Sequence, residues 1–346
     1  MTRRRVRGAA TCASFVALAL GVVGCSSSAS KGGHGATTTG ATTRAPSSPT
    51  STTAAPAPAT VRVSVAPWSL PHALAREVVV AVGNQLVVLG GTSVGGTTAA
   101  VLAVDATTGA ARSDGSLAMA VHDAAGALVG GRPVVFGGGS SATTDAVQEL
   151  TTAGAAARVI GHLPTRRADV SAASADGTVY VVGGYDGTNL VPDVLATSDG
   201  VAFRSIARLP VPVRYPAVAV VGGKLFVVGG ATSGGENAGV DTNAVQVIDL
   251  ATGAASVLAR MPQTRSHATA VTLDGHVYVL GGHVAGSWTD DVSELDPATG
   301  SLHTVAHLPR AISDAGAAVI GSTAYLVGGE AAPSSYLNGA VELTVG

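Results

Sequence analysis

The sequence predicts an all-β domain made of six repeats, which follows an N-terminal export signal and a linker. Pairs of adjacent glycines end short apolar runs at intervals of 47, 46, 46, 52 and 47 residues. A turn dipeptide ends six residues before each pair, and a proline stands nineteen residues before five of them. Self-similarity at such a period indicates a repeat architecture. The six pairs are Gly90-Gly91, Gly137-Gly138, Gly183-Gly184, Gly229-Gly230, Gly281-Gly282 and Gly328-Gly329.

The composition excludes several classes of protein. The chain has 346 residues, of which 12% are charged and 46 are glycine, and its formal charge is −2. A nucleic-acid-binding domain is expected to be strongly basic, with a pI above roughly 9. Two cysteines cannot support a disulfide scaffold. The sequence therefore predicts a glycine-rich β-type globular protein with no nucleic-acid partner.

The amino terminus has the features of an export signal. Four arginines within residues 3–7 precede an apolar stretch over residues 8–24, which is typical of a secretory signal peptide. The stretch ends in Val22-Val23-Gly24-Cys25, which resembles the bacterial lipobox. The resemblance implies a signal peptide over residues 1–24 and a lipid on Cys25. That lipid would anchor the protein at the extracytoplasmic face of the cell membrane. A plain signal peptide and an uncleaved signal anchor remain alternatives.

Residues 25–59 are predicted to be the lipidated cysteine and a disordered linker. After Cys25 nearly every residue is Ser, Thr, Ala, Gly or Pro, with no apolar periodicity. Such a segment cannot bury enough apolar surface to offset the entropy of ordering. At about 5–6 Å × √n, a 34-residue coil spans roughly 30–35 Å. Either an unmodified tether or an O-glycosylated stalk fits this composition.

Each repeat predicts four antiparallel strands. The turn dipeptides supply the positive φ angles of a type I′ hairpin, as where Ala268–Leu273 turns into His276–Leu280. A third strand follows a variable loop, and a tight turn such as Asp105–Gly109 leads to a fourth. We interpret the turn aspartates as caps of local backbone N–H groups.

Residues 60–346 resemble a kelch-repeat β-propeller. The resemblance rests on the double glycines, the repeat period and an aromatic position in the preceding strand, although most repeats lack the tryptophan of the fourth strand. That position is held by Tyr180, Phe226, Tyr278 and Tyr325. The resemblance implies a six-bladed, monomeric propeller whose first strands are innermost.

The ends of the chain predict how the ring closes. The sixth repeat ends after its third strand, and an orphan segment, Val61–Pro71, precedes the first repeat. We therefore expect residues 61–68 to be the outer strand of the last blade. Burial of Val61, Val63 and Val65 would stabilise this closure.

Polar residues recur where each first strand begins, and there they are candidate ligand-binding residues. Variable loops on a rigid scaffold are where binding usually resides, and the resemblance places these residues around a central channel. Arginines at such positions are equally explained as structural donors to loop carbonyls. The candidates are Arg76, Asp123, Asp169, Tyr215, His267 and Asp314 fourteen residues before each glycine pair, Arg214 one residue earlier, Arg167 and Arg265 two earlier, and Tyr185 and Trp288 in the loops.

The favoured function is a lipid-anchored module that binds a protein or an envelope glycan. The alternative is an enzyme similar to sugar-acid mutarotases, in which Arg76, Arg214 or Arg265 holds a carboxylate and His267 moves a proton. An envelope structural protein without a discrete ligand is a third possibility. The sequence predicts no catalytic residue, metal site or cofactor, since it contains no nucleotide-binding loop or metal-ligand pattern. Loss of glycan binding in Arg265→Ala would favour the channel mouth, and loss in Trp288→Ala would favour the loops.

Overall fold

The computed structural model describes residues 60–346, apart from residue 153 and residues 234–239. All regular structure in these residues is β-strand. No helix among them is long and apolar enough to cross a membrane. The predicted signal peptide, the predicted lipidation site Cys25 and the linker lie outside the described residues.

Twenty-nine strands form within the described residues. The first eleven are β1 (Val61–Leu74), β2 (Val78–Val82), β3 (Gln85–Leu89), β4 (Thr92–Ser93), β5 (Gly96–Thr97), β6 (Ala100–Asp105), β7 (Ala111–Ser116), β8 (Ala125–Val129), β9 (Arg132–Phe136), β10 (Ala146–Glu149) and β11 (Arg158–His162). The next eight are β12 (Ser171–Ala175), β13 (Thr178–Val182), β14 (Asp193–Thr197), β15 (Arg204–Arg208), β16 (Ala217–Val221), β17 (Lys224–Val228), β18 (Ala244–Asp249) and β19 (Ala255–Arg260). The last ten are β20 (Arg265–Ser266), β21 (Thr269–Leu273), β22 (His276–Leu280), β23 (His283–Val284), β24 (Ser287–Trp288), β25 (Asp291–Leu295), β26 (Leu302–His307), β27 (Gly316–Ile320), β28 (Thr323–Val327) and β29 (Leu337–Val345).

The described residues form six four-stranded antiparallel sheets, which we number as blades 1 to 6. From the inner strand outwards they are β2-β3-β6-β7, β8-β9-β10-β11, β12-β13-β14-β15, β16-β17-β18-β19, β21-β22-β25-β26 and β27-β28-β29-β1. Each inner strand contacts the inner strands of two neighbouring blades, and the contact between β27 and β2 completes the cycle. The predicted all-β propeller fold is therefore confirmed.

The hydrophobic core lies mainly between neighbouring blades. Leu225 of blade 4, for example, packs with Val182 and Val194 of blade 3. Alternate residues of a strand point to opposite faces of its sheet, so each blade presents apolar residues to both neighbours. This packing holds the inner strand ends in a fixed arrangement around the axis.

The double glycines connect successive blades. The second glycine of each pair donates its N–H to a carbonyl of the segment that leads into the next inner strand, as from Gly91 to Val121 at 2.8 Å and from Gly329 to Leu74 at 2.9 Å. A Cβ on Gly90 would lie 2.5 Å from the Val121 oxygen, and one on Gly91 would lie 2.9 Å from the Ala75 oxygen. Both glycines also have positive φ. The repeat period therefore marks the places where blade must approach blade without a side chain.

The N-terminal strand completes blade 6, which confirms the predicted closure. Val61 pairs with Val345, and the antiparallel register continues to Val65 opposite Val341. The strand extends beyond the predicted residues 61–68, as far as Leu74.

The expectation that Val65 is buried was wrong. Val61 and Val63 are half-buried, but Val65 is 63% exposed. The register shifts after Val65, and beyond the shift the buried side chains are those of Ala66, Trp68 and Leu70.

Trp68 connects the last blade to the first. Its ring stacks on Tyr325 of blade 6 at 6.4 Å between ring centroids. Its indole Nε1 donates to the carbonyl of Ala106, at the β6–β7 turn of blade 1, over 2.9 Å. A Cβ on Gly109 in that turn would collide with the Trp68 side chain. The closing strand is therefore fixed by more than its pairing with β29.

Aspartates cap the tight turns between third and fourth strands, as predicted. Asp105 accepts hydrogen bonds from the N–H groups of Thr107 and Thr108 at 3.1 and 2.8 Å. Asp249 caps the equivalent turn of blade 4. The bonds from Thr108 and its neighbours lower the pKa of Asp105. These carboxylates therefore stabilise the turns in which they lie.

Candidate functional site

Six equivalent residues form a closed ring of backbone hydrogen bonds at the start of the inner strands. We call Arg76, Asp123, Asp169, Tyr215, His267 and Asp314 the axial ring. The N–H of each residue donates to the carbonyl of the preceding ring member, and Arg76 donates to Asp314, over 2.8 to 3.2 Å. The repeat thus brings six residues, one from each repeat, to a single end of the propeller.

The axial ring carries backbone strain. All six residues have φ between 53° and 59°, a left-handed conformation that costs roughly 1–2 kcal/mol for an ordinary L-residue. Glycine would adopt this conformation without strain, yet arginine, tyrosine and histidine occupy ring positions. Such outliers motivate a functional hypothesis, because the strained positions carry polar side chains where glycine would suffice for the backbone.

Arg76 is held between two carboxylates. Its guanidinium lies 3.3 Å from Asp123 and 3.1 Å from Glu330. Burial opposes the positive charge, but Asp123 and Asp314 outweigh burial and hold the pKa of Arg76 above its ordinary value. Arg76 therefore stays charged.

The other half of the ring contains a second ion pair and a stack of rings. Arg214 Nε donates to Asp169 Oδ2 at 2.9 Å. The Tyr215 ring stacks on His267 at 3.9 Å, and His267 Nδ1 lies 2.8 Å from Asp314 Oδ1. Burial lowers the pKa of His267, but the Asp314 carboxylate outweighs burial and raises it above the usual value. The Asp314 carboxylate therefore favours the protonated form of His267.

Asp169 has a strongly shifted protonation equilibrium. Burial is the main cause, and the nearby Asp123 carboxylate adds to it, so that the pKa of Asp169 rises to about 7 despite its contact with Arg214. The ring therefore contains a carboxyl group that is only partly ionised at neutral pH.

A large cavity opens over one side of the axial ring, on the face that carries the variable loops. We call this cavity of about 760 Å³ the axial cup. The guanidinium of Arg214 lies 5.1 Å from the Tyr185 ring centroid and 4.8 Å from that of Tyr215. Seven of the predicted site residues line the axial cup: Arg76, Asp123, Asp169, Tyr185, Arg214, Tyr215 and His267.

Trp288 and Asp314 line a second cavity on the same face, which we call the side pocket. It has a volume of about 320 Å³ and shares Arg76 and His267 with the axial cup. Trp288 is half-buried and contacts His283 at 4.4 Å between ring centroids. The Trp288 Nε1 and His283 Nε2 atoms are buried and have no hydrogen-bond partner among the described residues. Trp288 is thus part of a pocket wall.

Two acids of the site were missed by the sequence reasoning. Glu330 directly follows a glycine pair and binds Arg76, while Glu77 lies between Arg76 and the inner strand β2. The other repeats have Ala, Val or Pro at the position of Glu77. The sequence did contain a signal for Glu77, namely one acidic residue at a repeat position that is apolar in the other five repeats.

Arg167 and Arg265 do not belong to the predicted ligand site. Arg167 is fully buried, and its guanidinium donates to the carbonyls of Thr165, Gly183 and Asp193 at 3.1 to 3.4 Å. Arg265 is 4% exposed and donates within its own blade, including to the carbonyl of Gly281 at 2.7 Å. Burial lowers the pKa of both arginines to about 10. Their guanidinium groups satisfy blade carbonyls, so we withdraw both as ligand-binding residues.

Glutamine performs a related task in two other blades. In blades 2 and 4, where valine takes the place of this arginine before the inner strand, the third strand carries a fully buried glutamine. Gln148 bonds both the N–H and the carbonyl of Met119, and Gln246 bonds those of Val211. Both side chains fix the segment that leads into the inner strand. This substitution supports a structural role for the two arginines.

Comparisons with known proteins agree with this architecture. The family model of the kelch motif matches residues 166–196 and 264–308. The chain is similar to the solved structure of YjhT, with a TM-score of 0.66 and 15% sequence identity. The match covers 80% of this chain and 99% of that one. No curated protein matches it significantly in sequence. The chain therefore has a β-propeller fold and contains kelch motifs within residues 166–196 and 264–308.

Proposed function

We propose that this protein is a lipid-anchored, extracytoplasmic binding protein that captures an envelope glycan in the axial cup. The observation that carries the proposal is the cup itself. Its volume of about 760 Å³ lies within the range of about 300–1,000 Å³ that is usual for ligand pockets. Two tyrosines, three arginines, three aspartates and two histidines line it.

These residue types suit a sugar. Carboxylates accept and guanidinium groups donate hydrogen bonds, so the wall can match hydroxyls that do both. The rings of Tyr185 and Tyr215 offer flat amphipathic surfaces for the C–H faces of a sugar ring. A protein partner would need about 800 Å² of surface on each side, and it would contact the loop rim more than the concave cup. The concave shape of the axial cup therefore favours a glycan ligand over a protein partner.

Binding to solubilised cell-envelope glycan fragments tests this function. The full chain is purified in detergent and titrated calorimetrically, and Tyr185→Ala is compared with Tyr336→Ala, which alters the side pocket instead. We expect Tyr185→Ala to weaken binding at least tenfold, with an unchanged melting temperature, and Tyr336→Ala to have a smaller effect. Capture of an envelope protein without binding of any glycan fragment would overturn the proposal.

The membrane anchor is tested separately. Cys25→Ala removes the predicted acceptor of the lipid, so the variant should fail to incorporate labelled palmitate and should leave the membrane fraction. A Cys12→Ala variant is the matched control and should behave as the wild type does. Equal lipid incorporation in both variants would contradict the assignment.

A proton-transfer enzyme is the second candidate, and the His267–Asp314 pair favours it. An imidazolium beside both cavities can act as a general acid. Arg265, one of the arginines in that interpretation, is buried and unable to hold a substrate carboxylate. Exchange spectroscopy on a sugar acid tests this candidate: enzyme-dependent exchange between anomers that is lost in His267→Gln would support it.

A further inference from the structure

A small cavity beneath the axial ring has an excess of acidic groups. We call this cavity the axial floor. It has a volume of about 110 Å³ and leads into a channel cavity of about 160 Å³ with which it shares Glu77. The axial floor is lined by four carboxyl groups, those of Glu77, Asp123, Asp169 and Asp314.

The cations at the axial floor are already engaged. Arg76 and His267 line it, but Arg76 contacts Asp123 and Glu330, and His267 contacts Asp314. Arg214, the partner of Asp169, lines the axial cup above. The four carboxyl groups of the floor and Glu330 thus share three cations, Arg76, Arg214 and His267.

Glu77 provides an independent indication of a missing ligand. Its side chain is 6% exposed, and Oε1 accepts from the N–H of Gly316 at 3.2 Å. Oε2 is buried and has no partner among the described residues. Leaving such a buried group without a hydrogen-bond partner is unfavourable. Burial, with Asp314 and Glu330 nearby, raises the pKa of Glu77 to about 8, so the site lacks a compensating positive charge.

We propose that the axial floor is a subsite for a protonated amino group, so that the axial cup selects amino sugars over their N-acetylated counterparts. This inference rests on the proposed glycan-binding function. A floor of about 110 Å³ is too small for a sugar ring, but it can admit an ammonium group and a water, whose share of liquid volume is about 30 Å³. The ammonium would donate to Asp169 and Glu77 while its sugar ring stays in the cup.

The test compares two probes that differ only in the amine. The full chain in detergent is titrated at pH 7, where Asp169 is partly ionised, with the β-1,4-linked glucosamine trimer and with the fully N-acetylated trimer. The ammonium displaces the proton that Glu77 holds at this pH. One charge-assisted contact stabilises by about 1.5–3 kcal/mol, so we expect the amine trimer to bind at least tenfold more tightly.

Two variants and one control locate the preference. Glu77→Gln and Asp169→Asn should each weaken the amine trimer more than the acetylated trimer, while Asp249→Asn, which alters a turn cap, should leave both affinities unchanged. Melting temperatures establish that each variant is folded. Equal affinity for the two trimers in the wild type overturns the amino-group subsite and leaves glycan binding standing. Binding of neither trimer, nor of any envelope fragment, overturns the glycan-binding function itself.

Discussion

Two pairs of arginines near the start of the inner strands have opposite environments. Arg76 and Arg214 reach the axial cup, where carboxylates meet their guanidinium groups. Arg167 and Arg265, one or two residues earlier in the repeat, turn into their own blades and bond main-chain carbonyls. Because the chain turns through a left-handed residue at the ring position, a shift of one or two residues separates a candidate binding group from a structural one. The position of an arginine within the repeat therefore determines whether it is a candidate binding residue or a structural one.

The largest effect should come from removing the strand that closes the ring. Deleting residues 26–70 takes away Ala66, Trp68 and Leu70, whose burial stabilises the fold by about 5 kcal/mol or more in total. The arginine comparison depends on this closed scaffold. Deleting residues 26–55 removes only linker and should leave the melting temperature unchanged. Equal melting temperatures of the two deletion variants would refute the closure.

Glu77 extends the comparison to a buried acid, and its effect depends on pH. An unfolded chain releases this proton near pH 4.5, whereas the folded protein keeps it until about pH 8. The folded state therefore binds more protons across this window, and the contribution of Glu77 to stability falls as the pH rises through it. Glu77→Gln replaces the carboxyl group with an amide that does not ionise, so the stability of the variant lacks this decrease with pH. Relative to the wild type, the variant should gain about 3–5 kcal/mol between pH 4 and pH 9, measured by urea unfolding; a constant difference would contradict the shift.

Replacing a structural arginine should cost nearly as much. Arg167→Met leaves the carbonyls of Gly183 and Asp193 without their donor, and unsatisfied buried groups cost about 1–3 kcal/mol each. We expect a loss of about 2–4 kcal/mol in the free energy of unfolding. Arg158→Met is the matched control, because Arg158 is exposed on outer strand β11. If both variants unfold at the same urea concentration, the structural assignment of Arg167 is wrong.

The smallest effect on stability is expected in the cup. Arg214→Ala frees Asp169, which can take up a proton near neutral pH because its pKa is about 7. The free energy of unfolding should therefore change by less than about 1 kcal/mol, because a protonated Asp169 leaves no uncompensated charge at this largely buried position. Thermal unfolding at pH 6.5 measures this change. A loss comparable to that of Arg167→Met would remove the distinction between the two pairs.

Most of the fold could be predicted from the sequence. The glycine pairs recur because only glycine permits the blade-to-blade bond from residues such as Gly91, so their period reports the architecture directly. Val65 was misjudged because alternation along a strand does not reveal a register shift. The shift lies between Val65 and Ser69, and because of it Ala66, Trp68 and Leu70 are buried while Val65 is exposed.

The candidate site was harder to predict. Spacing from the glycine pairs identified the axial ring, because a closed repeat places equivalent residues at equivalent positions. Spacing could not show which carbonyls lack donors inside a blade, and so Arg167 and Arg265 were grouped with the ring. Glu77 and Glu330 were missed because each occurs in only one repeat, and their environment arises where blade 6 meets blade 1.

One paired measurement tests the central claim most directly. Arg214→Ala and Arg265→Ala are compared for melting temperature and for affinity to the envelope glycan fragment that the wild type binds. We predict that Arg214→Ala loses at least tenfold in affinity at an unchanged melting temperature. Arg265→Ala should melt lower, yet bind normally below its transition. Normal binding by Arg214→Ala together with lost binding by a fully folded Arg265→Ala would contradict the account.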